Sequence, residues 1–175
     1  ANFKAGQVGR FCRDTLAARD NPAFMSLRSL ALTGNVTGRE FLYDTVNTRM
    51  DPFDCAAFNA DPVPFTVVAS DLTFGTAAYL EVADLPAQMD AVMASSSLPC
   101  LSEVVAYDGR RLLDGGTCDS VPVERALADG ADELVVVLTQ HRGYRKSEAY
   151  SLMGVARRLY GDYPYYLEAL ETRGA

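Results

Sequence analysis

An α/β layered fold is what this sequence predicts, and three observations carry the prediction. The N-terminal third has its apolar residues at helical spacing. From Pro64 the pattern changes to short β-branched and apolar runs bounded by prolines, glycines and aspartates. Leu134-Val135-Val136-Val137-Leu138 shows no polar alternation at all, which suits a parallel strand covered on both faces. Helices before, between and after strands bury their apolar faces against a sheet, and that gives layers.

In chain order, Val8, Phe11, Cys12 and Leu16 mark a first helix that Asp20-Asn21-Pro22 breaks. A short helix around Leu27 to Leu32 ends at Gly34. Thr37 with Glu40 three residues on is a capping-box pattern, and Phe41, Leu42, Thr45 and Val46 supply the stripe of a helix from Gly38 to Thr48. Asp51-Pro52, a cap followed by proline at the first helical position, opens a brief helix through Phe58. Phe65 to Ser70 then reads as a buried strand and Thr76 to Val82 as its neighbour, with Thr73-Phe74-Gly75 the turn between them.

Leu85 to Ser95 is expected to be helical, with Leu85, Met89, Val92 and Met93 on its inner face. Val104 to Tyr107 and Arg110 to Leu113 flank Asp108-Gly109, a pair that supplies the positive φ angles a tight hairpin needs. The second of these strands runs into Asp114-Gly115-Gly116. Val121-Pro122 leads into a helix ending at Gly130, with Ala126 and Leu127 inside, and Glu133 to Thr139 follows as the buried strand. His141 to Lys146 is a polar loop, and Ser147 to the end is helical with a break at Asp162-Tyr163-Pro164. No repeat, linker or low-complexity segment divides the 175 residues, so residues 1–175 are expected to form a single domain.

Sixteen basic against 23 acidic residues give a net charge of -7, which offers no clustered positive surface for phosphates; nucleic acid is not an expected partner. The opening fifty residues run the other way, with Lys4, Arg10, Arg13, Arg19, Arg28, Arg39 and Arg49. Peripheral contact with anionic lipid headgroups is one reading of them; arginines spread over solvated helix faces is the preferred one. Cys12, Cys55, Cys100 and Cys118 are 43, 45 and 18 residues apart and form no C-x-x-C pair, so neither a zinc site nor a disulfide framework is expected. That usage fits a reducing, cytoplasmic compartment. No apolar run approaches the roughly 18–20 residues of a membrane-spanning helix.

Asp114 is the candidate for chemistry. A carboxylate at the end of a strand, followed by Gly115 and Gly116 that let neighbouring backbone come close, stands where open α/β sheets hold ligands. The alternative is a tight turn whose aspartate caps local N–H groups.

The surroundings of Asp114 resemble the patatin-like phospholipase family. The resemblance runs through Thr66-Val67-Val68-Ala69-Ser70-Asp71 with Thr76, Met93 to Pro99, Tyr107-Asp108-Gly109, Leu113-Asp114-Gly115-Gly116 with Val121-Pro122, and Gly130-Ala131-Asp132 with the valine run. The segments Met25 to Leu30 and Asp51 to Asp54 resemble the bacterial, predicted-esterase branch. The resemblance implies a three-layer α/β/α sandwich related to α/β hydrolases. It also implies acyl-ester hydrolysis, with an acyl ester or phospholipid as substrate, by a serine–aspartate dyad without histidine, metal or cofactor. Asp114 would be the general base, and backbone N–H groups of a glycine-rich loop would stabilise the oxyanion.

Two parts of that pattern do not occur in these residues: the glycine-rich loop and the nucleophile motif G-x-S-x-G. Gly34-Asn35-Val36-Thr37-Gly38 has the glycine spacing, but Val36 stands where the serine should be. Ala1 to Gly6 resembles the later turns of the helix that follows the nucleophile. The sequence therefore reads as the C-terminal portion of a patatin-like domain, inactive alone, whose first strands and nucleophile segment lie upstream. A non-catalytic α/β interaction or regulatory module that has lost its nucleophile is the alternative.

Four other features have plainer readings. His141, the single histidine, sits in a charged loop and reads as a surface residue. Ser95-Ser96-Ser97 lacks flanking glycines and reads as helix capping. Asp71 reads as a strand-terminating turn rather than the partner carboxylate of a glycosidase. Tyr160, Tyr163, Tyr165 and Tyr166 read as a packed helix edge rather than an interfacial aromatic belt.

Overall fold

The computed structural model describes residues 1–10, 13–14, 20–21, 24, 26–36, 38, 40–139, 141, 143 and 152–172. Its centre is a four-stranded sheet in the order β2-β1-β4-β3, every neighbouring pair antiparallel, built from β1 (Thr66–Asp71), β2 (Thr76–Glu81), β3 (Val105–Tyr107) and β4 (Arg110–Asp114). The β3–β4 hairpin turns on Asp108 and Gly109 with φ of 49° and 72°, the left-handed pair that matches the twist of its strands, and Tyr107 pairs with Arg110 across it.

Helices α1 (Leu27–Thr33), α2 (Glu40–Met50) and α3 (Cys55–Ala60) precede the sheet. The Ser26 side chain accepts from the Ser29 N–H to cap α1; Gly34 closes the helix at φ 73°, the end that the sequence predicts. Helix α2 is wound with the wider π pitch, its last turn closed by the Asp51 N–H on the Val46 carbonyl. The cap of α3 is Asp54, which accepts from the Ala57 N–H, three residues later than Asp51-Pro52 suggested. Phe11, Cys12 and Leu16 of the first expected helix, Thr37 of the capping box and Ser147 to Ser151 lie outside the described residues.

Side chains alternate across the sheet and fill two cores. On one face Val67, Ala69, Ala78, Leu80, Val105 and Leu112 meet Phe58 of α3 and Ala91 and Ala94 of α4 (Met89–Ser95). On the other, Leu72 and Leu113 meet Ala156, Tyr160, Tyr166 and Leu170 of α6 (Met153–Leu159), α7 (Pro164–Thr172) and the turn between them. Consecutive Leu112 and Leu113, both fully buried, thus serve opposite cores, and the order is helix, sheet, helix. The three-layer α/β/α expectation holds.

Four expectations change. Helix α4 starts at Met89 rather than Leu85, because the Gln88 side chain takes the N–H groups of Ala83 and Asp84 and turns the chain there. Its deep face is Ala91 and Ala94, small enough to bring the helix onto the sheet, while Met89 and Val92 pack at its margin. The larger correction concerns Glu133 to Thr139, which joins no ladder among the described residues. Val135 and Val137 are 93% and 84% exposed. Before it, α5 (Val123–Ala128) buries no residue, and Leu127, expected inside, is exposed. A strand buries its apolar side chains by pairing into a sheet whose faces are covered, and Glu133 to Thr139 pairs with neither edge strand of the described sheet, β2 or β3.

Candidate functional site

Strand β4 ends at Asp114, and the chain turns at once into a single 3-10 turn, Gly115–Thr117. Sterics dictate the glycines. A Cβ on Gly115 would lie 2.4 Å from the Val68 carbonyl oxygen of β1, so only glycine lets the turn lie against the neighbouring strand. A Cβ on Gly116 would lie 2.7 Å from Oδ1 of Asp114, the position a side chain would need to share with the carboxylate.

Asp114 is tied into the fold through both its backbone and its side chain. Its N–H donates to the Ser97 carbonyl at 2.8 Å, tying it to the end of α4. Its carbonyl accepts from the fully buried Ser70 Oγ at 2.7 Å, tying it to β1. Its Oδ1 accepts from the Gly116 N–H at 2.7 Å, which fixes the plane of the carboxylate. The side chain is half-buried. That bond fixes one side of the carboxylate at the end of the strand.

Beyond the turn, the Cys118 and Asp119 N–H groups both donate to the Gly115 carbonyl, and Ser120 Oγ donates to the Gly116 carbonyl. Asp119 Oδ2 accepts from the Tyr79 hydroxyl of β2 at 2.7 Å, and this bond, then partial burial, raises the Tyr79 phenol above its ordinary pKa. The Arg125 guanidinium lies 4.9 Å over the Tyr79 ring while its Nε–H is shared between the two carboxylate oxygens of Asp129.

A family model described as patatin-like phospholipase matches residues 6–127, which include the whole sheet and the Asp114 turn. The chain belongs to the patatin-like phospholipase family. Uncharacterized NTE family proteins of Mycobacterium bovis and of Mycobacterium tuberculosis are each 32% identical to it over 133 residues. That is 76% of this chain and 35% of theirs, so the patatin-like chain spans about a third of the length of these curated relatives.

Of the remaining sequence candidates, Ser97 meets Asp114 through its backbone carbonyl, and the side chains of the others have roles elsewhere. Asp71 Oδ1 accepts from the N–H groups of Thr73 and Phe74, so it caps the β1–β2 turn. Ser96 and Ser97 both donate to the Met93 carbonyl, and Ser97 is buried: these serines cap α4. His141 is exposed and lies beyond the residues that the family model matches. Tyr160 and Tyr166 pack edge to face at 5.5 Å, with the Tyr160 hydroxyl accepting from the Cys100 N–H; burial raises that phenol's pKa. In the N-terminal segment, Lys4 pairs with Asp61 and Arg10 with Asp14 and Asp51, while Arg13 bonds Asp51 at 2.7 Å. A cavity of about 390 Å³ lined by Arg13, Asp14, Val46, Met50 and Asp51 lies beside these pairs, and Asp114 does not line it.

Sequence reasoning missed Ser70, Tyr79 and Asp119, and read Ser97 as a cap without its backbone tie to Asp114. Ser70 and Asp114 are 44 residues apart, and Tyr79 and Asp119 are 40 apart; only the sheet brings them together. The one sequence signal was a serine inside an otherwise apolar strand, since a buried hydroxyl needs a partner.

Proposed function

We propose that this chain supplies the general base, Asp114, of a serine–aspartate dyad that hydrolyses acyl esters, phospholipids among them. The observation that carries this reading is the fixed carboxylate. Asp114 closes a central strand, its backbone is held from both sides by Ser97 and Ser70, and one carboxylate oxygen is anchored by Gly116. Membership in a family named for phospholipases supports a hydrolase role.

Serine at its free pKa is a weak nucleophile, and a carboxylate within hydrogen-bond reach lets its oxygen attack as the proton leaves. In the first half-reaction the serine Oγ bonds to the ester carbonyl carbon, the proton passes to Asp114, and the carbonyl oxygen becomes an oxyanion. Collapse breaks the bond to the alcohol, which takes the proton from Asp114. Water then attacks the acyl-enzyme and yields its proton to Asp114; collapse breaks the bond to the serine Oγ, which takes that proton back as the acid leaves. The serine of such a dyad needs a sharp turn of the G-x-S-x-G kind. The only glycines spaced for it here are Gly34 and Gly38, with Val36 between them. The 175-residue chain alone is therefore inactive under this reading.

Fluorophosphonate labelling and ester hydrolysis, measured on both the isolated chain and the natural full-length protein, test it. Hydrolysis and labelling are expected in the natural protein and not in the isolated chain. Labelling of a serine within residues 1–175 would contradict the assignment, and a natural protein without a reactive serine would favour a non-catalytic module.

A further inference from the structure

We propose that Tyr79 and Asp119 form a clasp that positions the Asp114 carboxylate, making both positioning residues for the reaction. The inference rests on the reading of Asp114 as the base. The turn that carries Asp114 is anchored at its start by Ser97 and Ser70, but those bonds hold the backbone of Asp114 itself. The carboxylate is oriented by the Gly116 N–H, two residues further on. What fixes Gly116 is the far end of the turn. There the Asp119 N–H closes onto the Gly115 carbonyl at 2.9 Å and the Asp119 carboxylate reaches across to the Tyr79 hydroxyl.

Tyr79 is well placed to anchor it. It pairs with Val68 in the β1–β2 ladder, and Val68 is the residue whose carbonyl would lie 2.4 Å from a Cβ on Gly115. The turn is thus gripped from one site on the sheet in two ways, by close backbone approach at Gly115 and by a hydrogen bond to a carboxylate at Asp119. Hydrogen bonds with one ionised partner are short and directional, and 2.7 Å is in their range. Arg125 stacked on the Tyr79 ring restrains the phenol further. Both side chains are only half-buried, so the pair contributes little to global stability. Its effect falls on geometry, where a displacement of about 1 Å costs on the order of 100-fold in rate.

The test uses the natural full-length protein with Tyr79→Phe, Asp119→Ala, Asp119→Asn and Asp114→Asn, each assayed for ester hydrolysis, melting temperature and backbone hydrogen exchange over residues 115–120. Tyr79→Phe and Asp119→Ala are expected to lower kcat on the order of tenfold, with KM and melting temperature nearly unchanged and faster exchange confined to the turn. Asp119→Asn keeps an oxygen acceptor for the Tyr79 hydroxyl and is expected to restore kcat. Unchanged kcat or unchanged exchange in Tyr79→Phe overturns the clasp, as does an Asp119→Asn variant no better than Asp119→Ala. Activity retained by Asp114→Asn overturns the base assignment itself, a failure distinct from that of the clasp.

Discussion

Two stretches of this chain carry similar apolar runs and meet opposite fates. Leu112-Leu113 of β4 is fully buried, laddered to β1 and β3 and covered by helices on both faces. Leu134 to Leu138, the more apolar of the two, joins no strand among the described residues and exposes every side chain. The difference lies outside the runs. Strand β4 is fed by a hairpin whose Asp108-Gly109 turn sets its register within a few residues, so its first partner costs little chain entropy. Glu133 to Thr139 has no such local partner, and β-branched content alone gives it nothing to pair with.

The largest effect that sharpens this contrast comes from Leu112→Ala, which removes a fully buried side chain between the sheet and α4. It should destabilise the chain by about 2–5 kcal/mol in denaturant unfolding. Gly115→Ala comes next. Its Cβ meets backbone atoms of Val68 that cannot swing away, and a loss of roughly 1–3 kcal/mol is expected, with the amides of the Asp114 turn exchanging faster. At the other extreme, Val137→Asp in the exposed run should change the stability of the 175-residue chain by less than about 0.5 kcal/mol. A clearly larger loss would mean that the run is covered in solution, and the comparison would break.

A smaller, electrostatic effect concerns Tyr79. Its folded-state pKa is raised, chiefly by the hydrogen bond to Asp119, so its protonated form is the one the fold favours. The stabilisation is present below the ordinary tyrosine pKa and is lost as pH rises through the raised folded value. Ultraviolet titration of the phenols should show late components from Tyr79 and Tyr160, of which the Tyr79 one moves to lower pH in Asp119→Ala; a profile identical in both proteins would remove the bond from solution.

Features set by neighbouring residues were legible in the sequence. Gly34 ends α1, Asp108-Gly109 makes the hairpin, and Asp114-Gly115-Gly116 ends a strand in a close turn because each depends on bonds within a few positions. Features set by distant partners were not. Large apolar residues drew the predicted inner face of α4 away from Ala91 and Ala94, because hydrophobicity says nothing of how closely a helix must approach a sheet. The Tyr79–Asp119 bond and the Ser70 tie to Asp114 span 40 and 44 residues and arise only from strand order. The exposed valine run is the same lesson in reverse, a correct local preference without the pairing it needs.

Hydrolysis by the natural full-length protein carrying Asp114→Asn, set beside His141→Ala, tests the central claim most directly. The amide matches the carboxylate in shape and can still accept the Gly116 N–H, so the melting temperature should hold. It cannot take the serine proton, and kcat/KM should fall by roughly 10²–10⁴-fold, while His141→Ala, altering an exposed residue, should leave most of the activity. An active Asp114→Asn enzyme beside an inactive His141→Ala enzyme would contradict the dyad and put a histidine-dependent mechanism in its place.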